Sequence, residues 1–134
     1  MLKRAALYRG AANTFLNSEH KRRILVCIRS SSAIGANGTL YFGCGGGNIY
    51  AVGTDGVLKW KFPTGASDIL ASPLIDSEGT LYCGASDTYL YALNPDGTLR
   101  WKYKTDGNIE ASVAIGAERT IYIAVGRTLY ALGE

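Results

Sequence analysis

Apolar and polar side chains alternate in short runs over most of the chain. Thr98-Leu99-Arg100-Trp101-Lys102-Tyr103 is one such run and Thr80-Leu81-Tyr82-Cys83 another. A period of two sends successive side chains to opposite faces of a strand, and β-branched and aromatic residues suit a pleated, half-buried surface. Turn-forming residues separate the runs: Asn37-Gly38, Asp55-Gly56, Glu78-Gly79 and Asn94-Pro95-Asp96-Gly97. Asn-Gly or Asp-Gly between alternating runs is a strong hairpin signal, because glycine enters the positive-φ region without steric cost. After residue 30 no window carries helical spacing. The pattern predicts antiparallel strands joined by tight turns.

These strands recur with a period of 40 to 41 residues. Residues 28–34, 37–43, 48–52 and 55–62 superimpose on 69–75, 78–84, 89–93 and 96–103, and again on 109–115, 118–124 and 128–132. Tyr41, Tyr82 and Tyr122 fall in register, as do Tyr50, Tyr91 and Tyr130, and Trp60 with Trp101. Four antiparallel strands per forty residues, repeated, are the arithmetic of β-propeller blades. The expected fold is therefore all-β, built of four-stranded antiparallel blades. Two are full (28–68 and 69–108) and a third is partial (109–134), after an irregular basic leader over residues 1–27. A blade cannot bury its own faces, so blades must stack side against side. The two outermost faces of such an arc are expected to stay uncovered.

The motifs Gly38-Thr-Leu-Tyr-Phe-Gly43, Leu90-Tyr-Ala-Leu-Asn-Pro-Asp-Gly-Thr-Leu-Arg-Trp-Lys-Tyr103 and Ile69-Leu-Ala-Ser-Pro-Leu-Ile75 resemble the PQQ-like (quinoprotein-type) β-propeller repeat, over residues 28–134. WD40 repeats fit less well, since Trp60 and Trp101 both precede lysine, and kelch repeats are longer, about 50 residues. The resemblance implies, for enzymes of the type, pyrroloquinoline quinone and calcium on the axis of a complete ring, often beside a disulfide of adjacent cysteines. This chain has no adjacent cysteines and too few repeats for a ring. The expectation is thus a non-catalytic interaction scaffold for a protein or carbohydrate partner, without cofactor, metal or catalytic residues. Family members lacking the cofactor residues serve this way in envelope assembly factors and secreted multi-domain proteins. A partial PQQ-dependent dehydrogenase is the alternative. The chain is also expected to be a fragment of a larger propeller, or else to close a ring with copies of itself. In the latter case Arg23–Ile28 would pair as the outer strand of a partner's third blade. Full-length relatives are often periplasmic or extracellular.

Composition narrows the remaining classes. The 134 residues suffice for one domain, and 47% hydrophobic with 19% charged content excludes wholesale disorder. No apolar run approaches the roughly 18 residues of a membrane span. Charge is uneven: residues 1–30 carry seven basic side chains against Glu19, whereas residues 31–134 carry seven basic and ten acidic ones. The basic stretch lacks interleaved aromatics for nucleic acid and a long apolar segment for a signal peptide, which predicts a solvated leader. Cys27, Cys44 and Cys83 have no metal-ligand spacing, and the lone His20 sits in the leader, so inert thiols are expected.

The remaining candidates read as structural. Trp60 and Trp101, at equivalent positions, predict blade-to-blade packing with a partner for each indole N–H. The recurring tyrosines are expected on faces covered by the next blade. Lys59, Lys61, Arg100, Lys102 and Lys104 flank the tryptophans and predict a solvated face rather than a phosphate stripe. Asp55, Asp96 and Asp106 fall at turns, where turn geometry explains them without calcium, which needs six to eight converging oxygens. Gly43-Cys44-Gly45-Gly46-Gly47 precedes no helix and predicts a flexible hairpin tip, not a phosphate cradle.

Overall fold

The computed structural model describes residues 30–133; the basic leader 1–27, with His20 and Cys27, lies outside them, as does Glu134. Eleven strands follow in three antiparallel sheets. β1 (Ala33–Ile34), β2 (Leu40–Cys44), β3 (Asn48–Val52) and β4 (Leu58–Pro63) form the first. β5 (Leu74–Ile75), β6 (Leu81–Gly84), β7 (Tyr89–Leu93) and β8 (Leu99–Lys104) form the second. β9 (Ala114–Ile115), β10 (Ile121–Val125) and β11 (Thr128–Leu132) form the third. Each strand pairs with its neighbour in sequence, and among the described residues no pairing crosses from one sheet to the next. Each repeat is thus one sheet, and the sheets are propeller blades.

The first strand of each blade is shorter than its seven-residue repeat segment. β1, β5 and β9 have two residues each, and in blades 2 and 3 the segment's leading isoleucine leaves the sheet to pack on the preceding blade. Its backbone is satisfied elsewhere: the Ile109 N–H bonds Ala85 O, and the Ile69 N–H bonds the Asp68 carboxylate. β1 and β5 touch, and the Ser31 N–H reaches Ser72 Oγ at 3.0 Å, so the short strands converge on one side of the arc.

Strand alternation builds the core between blades rather than within them. Tyr41, Ile49, Ala51, Trp60 and Phe62 of blade 1 meet Ile69, Leu81, Cys83, Tyr91 and Leu93 of blade 2. Tyr82, Leu90, Ala92 and Trp101 of blade 2 meet Ile109, Ile121, Ile123 and Val125 of blade 3 in the same way. The two tyrosine rows divide by pleat. Tyr41 and Tyr82 face the next blade, whereas Tyr91 and Tyr130 face the preceding one, against Phe62 at 5.8 Å and Tyr103 at 6.0 Å. The expectation that all were covered by the next blade holds for Tyr41 and Tyr82 alone: Tyr122 of the same row is 39% exposed, and the second row sits at opposite parity.

Two further differences have local causes. β3–β4 and β7–β8 each slip register, so that Lys59 and Arg100 bulge out of the ladder. Both then reach the same threonine of their own blade, Lys59 Nζ to Thr39 Oγ1 at 2.8 Å and Arg100 to Thr80 Oγ1 at 3.4 Å. The glycine-rich tip is clamped rather than loose. Its Gly47 carbonyl accepts from the Thr64 N–H and hydroxyl, and Gly46 N–H bonds Ser67 O. A Cβ at Gly47 would lie 1.9 Å from Ala66 O, so only glycine permits this approach to the inter-blade linker.

Candidate interaction surface

Two devices seat each blade on its neighbour. The first is an isoleucine pressed onto bare backbone: a Cβ at Gly43 would sit 2.0 Å from Cγ2 of Ile69, and one at Gly84 would sit 2.1 Å from Cγ2 of Ile109. Both isoleucines are fully buried. The second is Trp60, whose ring lies on Gly97 in the turn of the next blade and whose Nε1 donates to Pro95 O at 3.0 Å. The indole therefore does what its position in the repeat predicts, adding apolar contact and a satisfied N–H.

Blade 3 turns an equivalent face outward. Tyr122 is 39% exposed and Leu129 69%, where their counterparts Tyr82 and Leu90 in blade 2 are 2% and 0% exposed. Tyr122 pairs across the ladder with Ala131, and Ala124 with Leu129, so the four share one apolar face. Ala124 stands where Gly43 and Gly84 stand in the other blades. Its Cβ fills the space that the isoleucine wedge occupies there, so a further blade in the same register would need a smaller residue at that point. The opposite end of the arc differs. The far face of blade 1, made of Phe42, Cys44, Tyr50 and Val52, is buried, against the expectation that both ends lie open.

Beside this face runs an edge. β3 and β7 are paired on both sides, whereas β11 pairs only with β10 among the described residues. Between β11 and β8 opens a groove of about 570 Å³, lined by Trp101, Lys102, Tyr103, Ala131, Leu132 and Gly133.

Polar groups around the blade 2–3 junction fix its geometry. Arg119 forms a fork with Glu78 (2.9 and 2.8 Å) and reaches Asp76 at 3.3 Å, tying the two blades at their turns. It does so from a left-handed backbone (φ 61°), at the position held by Gly38 and Gly79 in the other blades. An uncomfortable backbone is thus kept in exchange for an inter-blade ion pair. Burial pushes the Asp76 carboxyl up, but the N–H groups of Thr80 and Glu78, Arg119 and the Tyr82 hydroxyl together hold it below the ordinary value of 3.8. Burial and the bonded Asp87 carboxylate push the Tyr91 hydroxyl up to about 12. The Tyr130 hydroxyl, donating to Asp106 at 2.6 Å, is raised in the same sense.

The carboxylates weighed as ligands are spread out and engaged locally. Asp55 accepts from the Val57 N–H, Asp96 from the Thr98 N–H and hydroxyl, and Asp106 from Tyr130. Among the described residues no three His, Cys, Asp or Glu side chains converge as metal ligands. Cys44 and Cys83 are buried, and burial pushes the Cys83 thiol up to about 12. The five flanking basic residues are exposed, with Lys102 Nζ 4.6 Å from the Tyr89 ring centre. An uncovered end face and a third blade short of its outer strand were expected from the repeat count; that blade 3 departs from its neighbours at residue 124 was not. The Gly43, Gly84, Ala124 series in the aligned repeats was the available signal.

No protein-family model matches the chain, and no curated protein matches it. Solved structures do. The chain is similar to BamB from Moraxella catarrhalis, with TM-score 0.61 and 21% identity over 72% of this chain and 30% of that one. It is also similar to a protein of unknown function from Bacteroides caccae, with TM-score 0.54 and 19% identity over 74% of this chain and 38% of that one. These likenesses establish the β-propeller fold. The chain spans well under half the length of either protein. No helix among the described residues is long and apolar enough to cross a membrane.

Proposed function

We propose that the chain is a PQQ-like β-propeller module that works without catalysis as an interaction scaffold, with the outward face of blade 3 as its contact surface. The observation carrying this reading is the contrast between Tyr122 and Leu129, exposed, and Tyr82 and Leu90, sealed by the next blade. A contiguous apolar face of this kind on a rigid stack marks a binding surface. The PQQ-like assignment is supported by the motif spacing and by the tryptophan seated on the following turn. The partner class is polypeptide, which an apolar face carrying an exposed aromatic and an exposed leucine suits.

Two measurements test this. Titration with pyrroloquinoline quinone and calcium, followed by tryptophan fluorescence, is expected to show no saturable change; saturable quenching would restore the dehydrogenase reading. A photo-cross-linking amino acid at position 129 is expected to yield polypeptide adducts in cells, and one at Val57, also exposed but in a blade 1 turn, is not. Equal cross-linking at both sites would remove blade 3 as the contact surface.

A further inference from the structure

We propose that Arg119, with Asp76 and Glu78, is a pairing key that directs blade 3 onto blade 2 of its own chain and away from the equivalent seat on blade 1 of another copy. This holds whichever surface meets a partner.

The apolar parts of the two junctions do not tell the blades apart. Ile69 presses on Gly43 as Ile109 presses on Gly84, and Trp60 lies 5.8 Å from Tyr41 as Trp101 lies 5.9 Å from Tyr82. Blade 1 therefore offers Ile109 a seat built like the one it takes on blade 2. Such equivalence is what lets repeat proteins misassemble and swap units between copies.

The polar parts do differ, and they differ as a matched pair. Asp76 stands where blades 1 and 3 have Gly35 and Gly116, and Glu78 stands where blade 1 has Asn37. Arg119 stands where blades 1 and 2 have Gly38 and Gly79. The departures meet across the junction, with Arg119 on both Glu78 oxygens and on Asp76. On blade 1 it would find neither carboxylate. The other blades also lack room for Asp76 as they stand. A Cβ at Gly116 would lie 2.6 Å from the Tyr122 ring and one at Gly35 3.2 Å from the Tyr41 ring, whereas the Tyr82 hydroxyl donates to the Asp76 carboxylate at 3.2 Å.

Stability does not account for the arrangement. Glu118 and Arg119 both hold left-handed backbone, φ 56° and 61°, and their turn closes through the Thr120 N–H to Ala117 O at 3.2 Å. In blades 1 and 2 the glycine closes it instead, Gly38 N–H to Gly35 O and Gly79 N–H to Asp76 O. The Arg119 and Glu78 side chains are 43% and 57% exposed, and an exposed pair returns less than two strained non-glycine residues cost. A forked pair of fixed geometry supplies discrimination, because the competing seat leaves the guanidinium without its carboxylates.

Two isotopically distinct batches of the full chain, mixed, unfolded in urea and refolded together, report exchange as assemblies carrying both labels in native mass spectrometry. Arg119→Gly is expected to keep or raise the urea midpoint while mixed assemblies become at least about threefold more abundant than in the parent. Asn37→Glu leaves the key intact and gives blade 1 a carboxylate, and is expected to raise them too. Sodium chloride at about 1 M is expected to raise them in the parent and not in Arg119→Gly. Either variant refolding with no more mixed assemblies than the parent overturns the key, as does a lowered midpoint in Arg119→Gly, which would make Arg119 a stabiliser. Should Arg119→Gly not fold, Asn37→Glu decides by the same count.

Discussion

Gly84→Ala is the sharpest perturbation of blade stacking. The new methyl would stand 2.1 Å from Ile109 Cγ2 and 2.7 Å from its Cβ. Carbon atoms pack best at about 3.5–4.0 Å, so Ile109 must retreat by about 1.5 Å. It is fully buried between blades 2 and 3, with no open space to retreat into. Overpacking of a close-packed core costs about 1–3 kcal/mol, and the upper part of that range applies because the sheet behind residue 84 cannot yield. Ile109→Ala alone leaves a cavity and costs about 2–5 kcal/mol. In the double variant the methyl added at position 84 occupies part of that cavity, so the two losses should sum to at least about 1 kcal/mol more than the double variant loses. Ala124→Gly is the control: no isoleucine sits there, and only the backbone cost of glycine in a strand applies, about 0.5–1 kcal/mol. Urea unfolding followed by tryptophan fluorescence measures all four. A Gly84→Ala protein as stable as the parent, or strictly additive losses, would refute the wedge.

Other outcomes follow from single groups. Trp60→Phe loses the bond to Pro95 O and part of the contact with Gly97, and is expected to lower unfolding free energy by about 1–2 kcal/mol in the same urea experiment. The Asp76 carboxyl is held below its ordinary value, so its contribution is present above about pH 4 and lost as pH falls through the folded-state value. Asp76→Asn should therefore show a flatter fall in urea midpoint between about pH 4 and pH 2 than the parent. Cys44 and Cys83 are buried, with Cys83 pushed up to about 12, so neither should react with a thiol reagent at neutral pH until denaturant is added, as mass spectrometry of the labelled protein would show.

What could be read in the sequence was whatever local chemistry fixes. Alternation in Thr98–Tyr103 and the Asp-Gly and Asn-Gly turns specify strands and hairpins within a dozen residues, and the forty-residue period then specifies blades. The tryptophan seat was legible because Trp60 and Trp101 hold equivalent positions. Ile69 and Ile109 were misassigned to strands, since nothing local shows that an isoleucine leaves its own sheet to press on a glycine of the preceding blade. The buried far face of blade 1 was equally invisible, because the repeat pattern treats first and last blades alike. The exposed face of blade 3 lies between these cases. Its residues repeat those of blade 2, and only Ala124 and Arg119, breaking two glycine columns, mark that blade as different.

Wedge stacking is tested most directly by nuclear magnetic resonance of two pairs of neighbours that only inter-blade packing brings together. The Gly97 Hα should be shifted upfield by the Trp60 ring, and methyl protons of Ile109 should show a nuclear Overhauser effect to the Gly84 Hα. A random-coil shift at Gly97 with no effect between Ile109 and Gly84, in a chain whose strands are otherwise formed, would mean that the sheets fold without stacking.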